Sequence, residues 1–171
     1  SYYFGDILEV FKELVPRYDG KIQLIYMDPP FFTGQTFRYQ QPIGIKGWMG
    51  DKDHVISHVA YIDRYEKEVF FNMMKEVFFY VHRLLSNEGC LYVHIDYRTS
   101  AYLKIMLDDI FGEDNFLNEI IWHYRSGGRA KRHFSRKHDN ILFYRKSKDY
   151  YFNIDAVGVP RGLDKRNNMK K

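Results

Sequence analysis

The sequence predicts an α/β fold, with a sheet that is parallel at first and carries an antiparallel hairpin along one edge. Three observations lead there. Short apolar runs of strand length stand at residues 22–27 and 90–96, each followed by a break or a polar turn. Stretches with apolar residues at helical spacing lie before and between them. Two further strand-like runs, 118–124 and 140–146, follow one another with no helix between.

Residues 5–14 place Ile7, Leu8, Val10, Phe11 and Leu14 at helical spacing, and Asp6 is the expected N-cap. Pro16 and Gly20 are expected to break the chain. Ile22 to Met27 reads as a buried strand stopped by Pro29 and Pro30, which have no N–H for a ladder. Residues 31–63 show no sustained periodicity and hold four glycines, so a long functional loop is expected.

Residues 64–86 form the longest predicted helix. Val69, Phe70, Met73, Met74, Val77, Phe78, Val81, Leu84 and Leu85 make its apolar stripe, and Asn87-Glu88-Gly89 is its expected stop. Cys90 to Asp96 is the second strand. A helix capped by Thr99 or Ser100 runs to Phe111, with Gly112 as its end. Asn118 to Tyr124 and Asn140 to Lys146 are the last two strands, paired as a hairpin across a long basic loop. The tail from Gly158 is polar and basic, which divides the chain into a main domain, 1–157, and a tail, 158–171.

Composition narrows the function. The 171 residues carry 26 Lys and Arg against 22 Asp and Glu, a net charge of +4, so any nucleic-acid surface must come from how the charge is distributed. The single cysteine, Cys90, excludes an intrachain disulfide and a cysteine-built zinc site. Neither the histidines nor the acids have tight ligand spacing, so no metal is expected. No apolar run approaches the length of a membrane span, and a cytoplasmic protein is the expectation. Aromatic residues make up 18% of the chain; most of these are expected to fill the core, and some to stack on bases.

Asp28-Pro29-Pro30-Phe31 sits where ligands of α/β sheets bind, at the carboxyl end of a strand. The group suits an exocyclic amine. An amine conjugated to a base ring is a poor nucleophile until acceptors draw its hydrogens out of plane. The Asp28 carboxylate and the Pro29 carbonyl can accept them, Pro30 shapes the turn, and Phe31 can stack on the base. The segment 125–138 carries Arg125, Arg129, Lys131, Arg132, Arg136 and Lys137 with no acid, and Gly127 and Gly128 make it pliable. Such a loop can track phosphates. His123 and Tyr124 end the third strand on the same side and are further candidates.

The stretch IYMDPPFFTGQTFRY resembles motif IV of the DNA amino-methyltransferases acting on adenine N6 and cytosine N4. It is nearest to the class with that motif close to the N-terminus, which includes the modification subunits of type III restriction systems. GCLYVHIDYRTSAYLKIMLDDIFG, FLNEIIWHYRSGGR and SRKHDNILFYRKS resemble that group's following segments, in the same order, over roughly residues 3–152.

The resemblance implies a Rossmann-like class I fold and S-adenosylmethionine as methyl donor. It implies that Asp28, Pro29 and Phe31 hold a flipped base. It places Gly5, Asp6 and Asp28 near the cofactor, and His94, Asp96 and Tyr144 at the base pocket. DNA is the implied substrate; a second copy and a restriction subunit are the implied protein partners. The glycine-rich FxGxG loop of the class is absent, since Phe4-Gly5 lacks the next glycine. The expectation is therefore a catalytic part that is inactive alone, with the tail from 158 opening a target-recognition region. A non-catalytic nucleic-acid-binding half-domain, and methylation of RNA or of a protein glutamine, are the competing readings.

Overall fold

The computed structural model describes residues 1–33, 35–42, 55–63, 66–125 and 130–158. The elements in order are α1 (Ile7–Tyr18), β1 (Ile22–Met27), β2 (Gln35–Pro42), β3 (Val55–Asp63), α2 (Lys67–Leu84), β4 (Leu85–Ile95), α3 (Ser100–Phe111), a single 3-10 turn (Glu113–Asn115), β5 (Phe116–His123), β6 (His138–Arg145) and the short α4 (Ile154–Val157).

Four strands form one sheet in the order β1-β4-β6-β5. β1 runs parallel to β4, and β6 runs antiparallel to both β4 and β5. The expected hairpin of the last two strands is present, and β6 alone runs against the other three strands. The carboxyl ends of β1, β4 and β5 and the start of β6 therefore share one end of the sheet.

The core lies between this sheet and α2 and α3. Phe70, Met74, Phe78 and Val81 of α2, with Leu103 and Leu107 of α3, pack with Leu91, Val93 and Ile95 of β4, and all of these are buried. Asp6 caps α1 as expected, its Oδ1 accepting from the Leu8 N–H at 2.9 Å and the Glu9 N–H at 3.4 Å. Gly112, at φ 89°, ends α3 in a conformation that other residues rarely adopt. Thr99 holds the N-cap position of α3 without a side-chain bond. Cys90 is buried and unoxidised.

The structure corrects five expectations. Pro16 does not end α1, which runs on to Tyr18; the exposed proline forfeits one backbone bond near the end of the helix, and only a few residues follow it. β1 is not a buried strand: β4 is its single neighbour among the described residues, and Leu24 and Tyr26 are 59% and 54% exposed.

Residues 31–63 are not one loop, because β2 and β3 pair antiparallel in a separate two-stranded sheet. Gly89 is not a helix stop. β4 already begins at Leu85, and a Cβ on Gly89 would stand 2.9 Å from the Ile22 carbonyl oxygen, so the glycine lets β1 and β4 approach. Val69, assigned to the apolar stripe of α2, is 54% exposed. No helix among the described residues is long and apolar enough to cross a membrane.

Candidate nucleotide-base and cofactor cleft

Register builds the site. Met27 of β1 stands opposite Val93 of β4, so the residues that follow each, Asp28 and His94, emerge side by side. The Asp28 Oδ1 lies 3.9 Å from His94 Nδ1. Pro29 and Pro30 then carry the chain out of the sheet. Phe31 turns its ring edge-on to His94, with centroids 5.5 Å apart and planes at 61°.

Phe32 turns the other way, onto Phe70 at 5.1 Å and Phe71 at 6.3 Å. It does so at φ 56°, in the left-handed region where a bulky residue is strained. Two adjacent phenylalanines thus part, one toward the core and one toward the site.

A cleft of about 350 Å³ opens beside this turn. Asp28, Pro29 and Pro30 form one side, Ile7 at the start of α1 another, and Met73 and Val77 of α2 the back. The wall is apolar apart from Asp28, whose side chain is 63% exposed, and the hydroxyl-bearing Tyr26. An apolar wall beside one open carboxylate fits a ligand with a flat ring and a cationic or amine group. The residues present therefore fit the methyl donor and the target base that the sequence resemblance implies. Gly5 and Asp6 immediately precede Ile7; both cap bonds of Asp6 use Oδ1.

The other predicted residues separate into groups. His94 lies at the site, hydrogen-bonded to the Tyr26 hydroxyl at 2.9 Å and to Asp139 at 3.3 Å. Asp96, 5% exposed, pairs with the Arg98 guanidinium and accepts the Arg98 backbone N–H at 2.8 Å. Tyr144 does not line the cleft. It is fully buried, its hydroxyl donates to Asp108 at 2.6 Å, and burial first, then that bond, push the phenol far up. Its place on β6 turns it toward α3, whereas Phe143 stacks on Tyr92 across the opposite face at 4.3 Å. His123 is exposed at the end of β5.

Of the cations in the basic segment, Arg125, Lys131, Arg132 and Arg136 are exposed and Lys137 is half-buried, while Arg129 lies outside the described residues. Arg136 donates to the Tyr97 hydroxyl at 2.9 Å and stacks over its ring at 4.8 Å, with Arg98 over the same ring at 5.2 Å. The guanidiniums thus gather at the same end of the sheet as Asp28. Among the described residues no group of three metal-ligating side chains converges.

Sequence reasoning passed over four residues here: Tyr26, Arg98, Asp139 and Phe134, the last 96% exposed among the cations. Tyr26 could have been found, because it precedes Asp28 by two and shares its strand face. Asp139 could not, because nothing in the sequence sets the register of β6 against β4.

Comparison with known proteins agrees with this geometry. The profile of the DNA methylase family matches residues 22–171. The type II methyltransferase M.KpnI of Klebsiella pneumoniae is 29% identical over 94% of this chain and 38% of its own length. The Mod subunit of the type III enzyme EcoP15I of Escherichia coli is 25% identical over 85% of this chain and 24% of its own. Among solved structures, the cytosine-N4-specific PvuII DNA methyltransferase superposes with a TM-score of 0.60 at 16% identity, covering 92% of this chain and 52% of that one. The chain spans about a quarter to two fifths of the length of these two curated relatives.

Proposed function

The chain belongs to the DNA methylase family, and from that premise we propose that it forms part of an enzyme that methylates the exocyclic amino group of a base flipped out of DNA. Its fold is that of the class I S-adenosylmethionine-dependent methyltransferases. Adenine N6 is the proposed target and cytosine N4 the alternative. S-adenosylmethionine, when bound, supplies a methyl group activated on a sulfonium. The cleft along Ile7, Asp28, Met73 and Val77 would hold it, with Gly5 and Asp6 at the adenosine end.

The observation that supports this most is the open Asp28 carboxylate at the end of β1, with Phe31 beside it and an apolar wall behind. Asp28 accepts one hydrogen of the target amine and the Pro29 carbonyl the other. The nitrogen lone pair then leaves conjugation and becomes nucleophilic. Phe31 stacks on the base, a contact on the order of 1–3 kcal/mol. The target amine is paired in duplex DNA, so base flipping precedes chemistry. Arg125, Lys131, Arg132, Arg136 and Lys137, with Arg129, hold backbone phosphates around the flipped nucleotide. A second copy and a restriction subunit are the proposed protein partners. Residues 1–157 form the catalytic part, and 158–171 lead into target recognition.

Nucleoside mass spectrometry on unmethylated DNA, after incubation with S-adenosylmethionine and the longest product of this gene, tests the proposal. N6-methyladenine or N4-methylcytosine is expected from the wild type. Asp28→Ala is expected to abolish it while duplex binding survives. A folded wild type that binds the donor yet leaves DNA unmodified would move the acceptor to RNA or a protein amide. Binding of DNA without binding of the donor would leave a nucleic-acid-binding module.

A further inference from the structure

At the carboxyl end of the sheet, one polar side chain from each strand joins a single line. The order is Tyr26 of β1, His94 of β4, Asp139 of β6 and Tyr124, one residue past β5, which is the order of the strands themselves. The Tyr26 hydroxyl lies 2.9 Å from His94 Nδ1, and His94 Nε2 lies 3.3 Å from Asp139 Oδ2. The Tyr124 phenol neighbours the Asp139 carboxylate, whose charge adds to burial in raising it. Asp139 is held in place by its strand, Asp139 pairing with Trp122 across β5.

The line has one direction. A carboxylate only accepts hydrogen bonds, so Asp139 accepts from His94 Nε2. His94 Nε2 therefore carries the ring hydrogen, and Nδ1 is left bare to accept from Tyr26. Both phenols keep their protons at neutral pH. Burial raises each, reinforced at Tyr26 by the Asp28 charge and at Tyr124 by the charges of Asp139 and Asp96.

We propose that Asp139 is the positioning residue of this site: by fixing His94 in the Nε2–H tautomer it presents a bare nitrogen to Asp28 and leaves that carboxylate free for the target amine. In the opposite tautomer an N–H would stand 3.9 Å from Asp28 Oδ1, within a small rotation of donating to it. That donor would compete with the substrate for the acceptor that activates it. The same ring supports Phe31 edge-on, so its orientation also sets where the stacking aromatic lies. The inference rests on the methyl-transfer reading above, and its first readout does not depend on activity.

The experiment uses the full gene product labelled with ¹⁵N-histidine. Wild type is expected to show His94 protonated at Nε2. In Asp139→Asn the neighbouring Tyr124 hydroxyl is expected to draw the amide oxygen, so the NH₂ faces Nε2 and the ring takes the opposite tautomer, as carboxylate-to-amide changes beside a histidine do. The expected result is an Nδ1–H signal, kcat lower by about tenfold or more, and an unchanged KM for DNA. Adding Tyr124→Phe frees the amide oxygen to turn toward His94. It should restore both the Nε2–H signal and much of kcat, which a merely structural role would not do.

If Asp139→Asn does not fold, Asp139→Ala, which removes the acceptor from Nε2, serves instead and should raise the Nδ1–H fraction. An unchanged tautomer in the variants, or a reversed tautomer with undiminished kcat, overturns the proposal. A wild type that methylates no DNA overturns the methyl-transfer reading instead, and the ring signals then still decide whether Asp139 sets the tautomer.

Discussion

Phe31 and Phe32 are the same residue type in adjacent positions, and what they do is decided by one backbone angle. The left-handed φ of 56° at Phe32 sends its ring onto Phe70 and Phe71 while Phe31 remains beside His94. Strain of this kind costs on the order of 1–3 kcal/mol and persists where packing outweighs it. Phe32→Ala keeps the strained angle and loses the packing, so it should destabilise the protein by about 2–3 kcal/mol, measured by urea unfolding. It should also lower methyl transfer at temperatures where the protein remains folded, because Phe31 would lose its fixed starting point. An effect on stability with none on transfer would show that the two rings are independent.

The contact between α2 and β6 carries the clearest pH dependence at the scale of elements. His82 of α2 packs edge-on against Phe111 at 4.8 Å and meets the Lys146 ammonium, just past β6, at 3.0 Å. Burial first, and then the Lys146 charge, hold its pKa below the ordinary 6.5. The unfolded chain thus takes up a proton that the folded chain resists, so stability present above pH 6.5 is lost as pH falls below it. The urea midpoint should drop between pH 7 and pH 5, and His82→Gln should flatten that drop. An equal slope in both proteins would remove His82 as the cause.

Elements were more legible than their surroundings. The spacing in α2 and α3, the cap at Asp6 and the run of β1 were readable because each rests on local pattern. The exposure of β1, the role of Gly89 and the burial of Tyr144 were not, because each depends on which strand lies next to which. The candidate site divides in the same way. Asp28 to Phe31 is one contiguous motif and was visible. Asp139, 111 residues further on, meets His94 only through the β4–β6 pairing.

Across the whole molecule a modest charge is concentrated where it can act. The net charge is +4, yet the segment 125–138 holds six cations and no acid, and its Arg136 reaches Tyr97 at the Asp28 end of the sheet. Lys131 and Arg132 are both exposed. Replacing both with Ala should reduce the slope of log affinity against log salt by about 2, since each phosphate contact contributes about 0.9. Transfer at saturating DNA should be unchanged. An unaltered slope, measured by fluorescence anisotropy over a salt series, would place the DNA elsewhere. The open side of β1 has a different consequence, for handling the protein. A strand with Leu24 and Tyr26 uncovered and one row of backbone groups unpaired among the described residues is a template for any passing strand. Expressed as these 171 residues alone, the polypeptide is prone to self-association and poor solubility, governed by concentration rather than by folding stability.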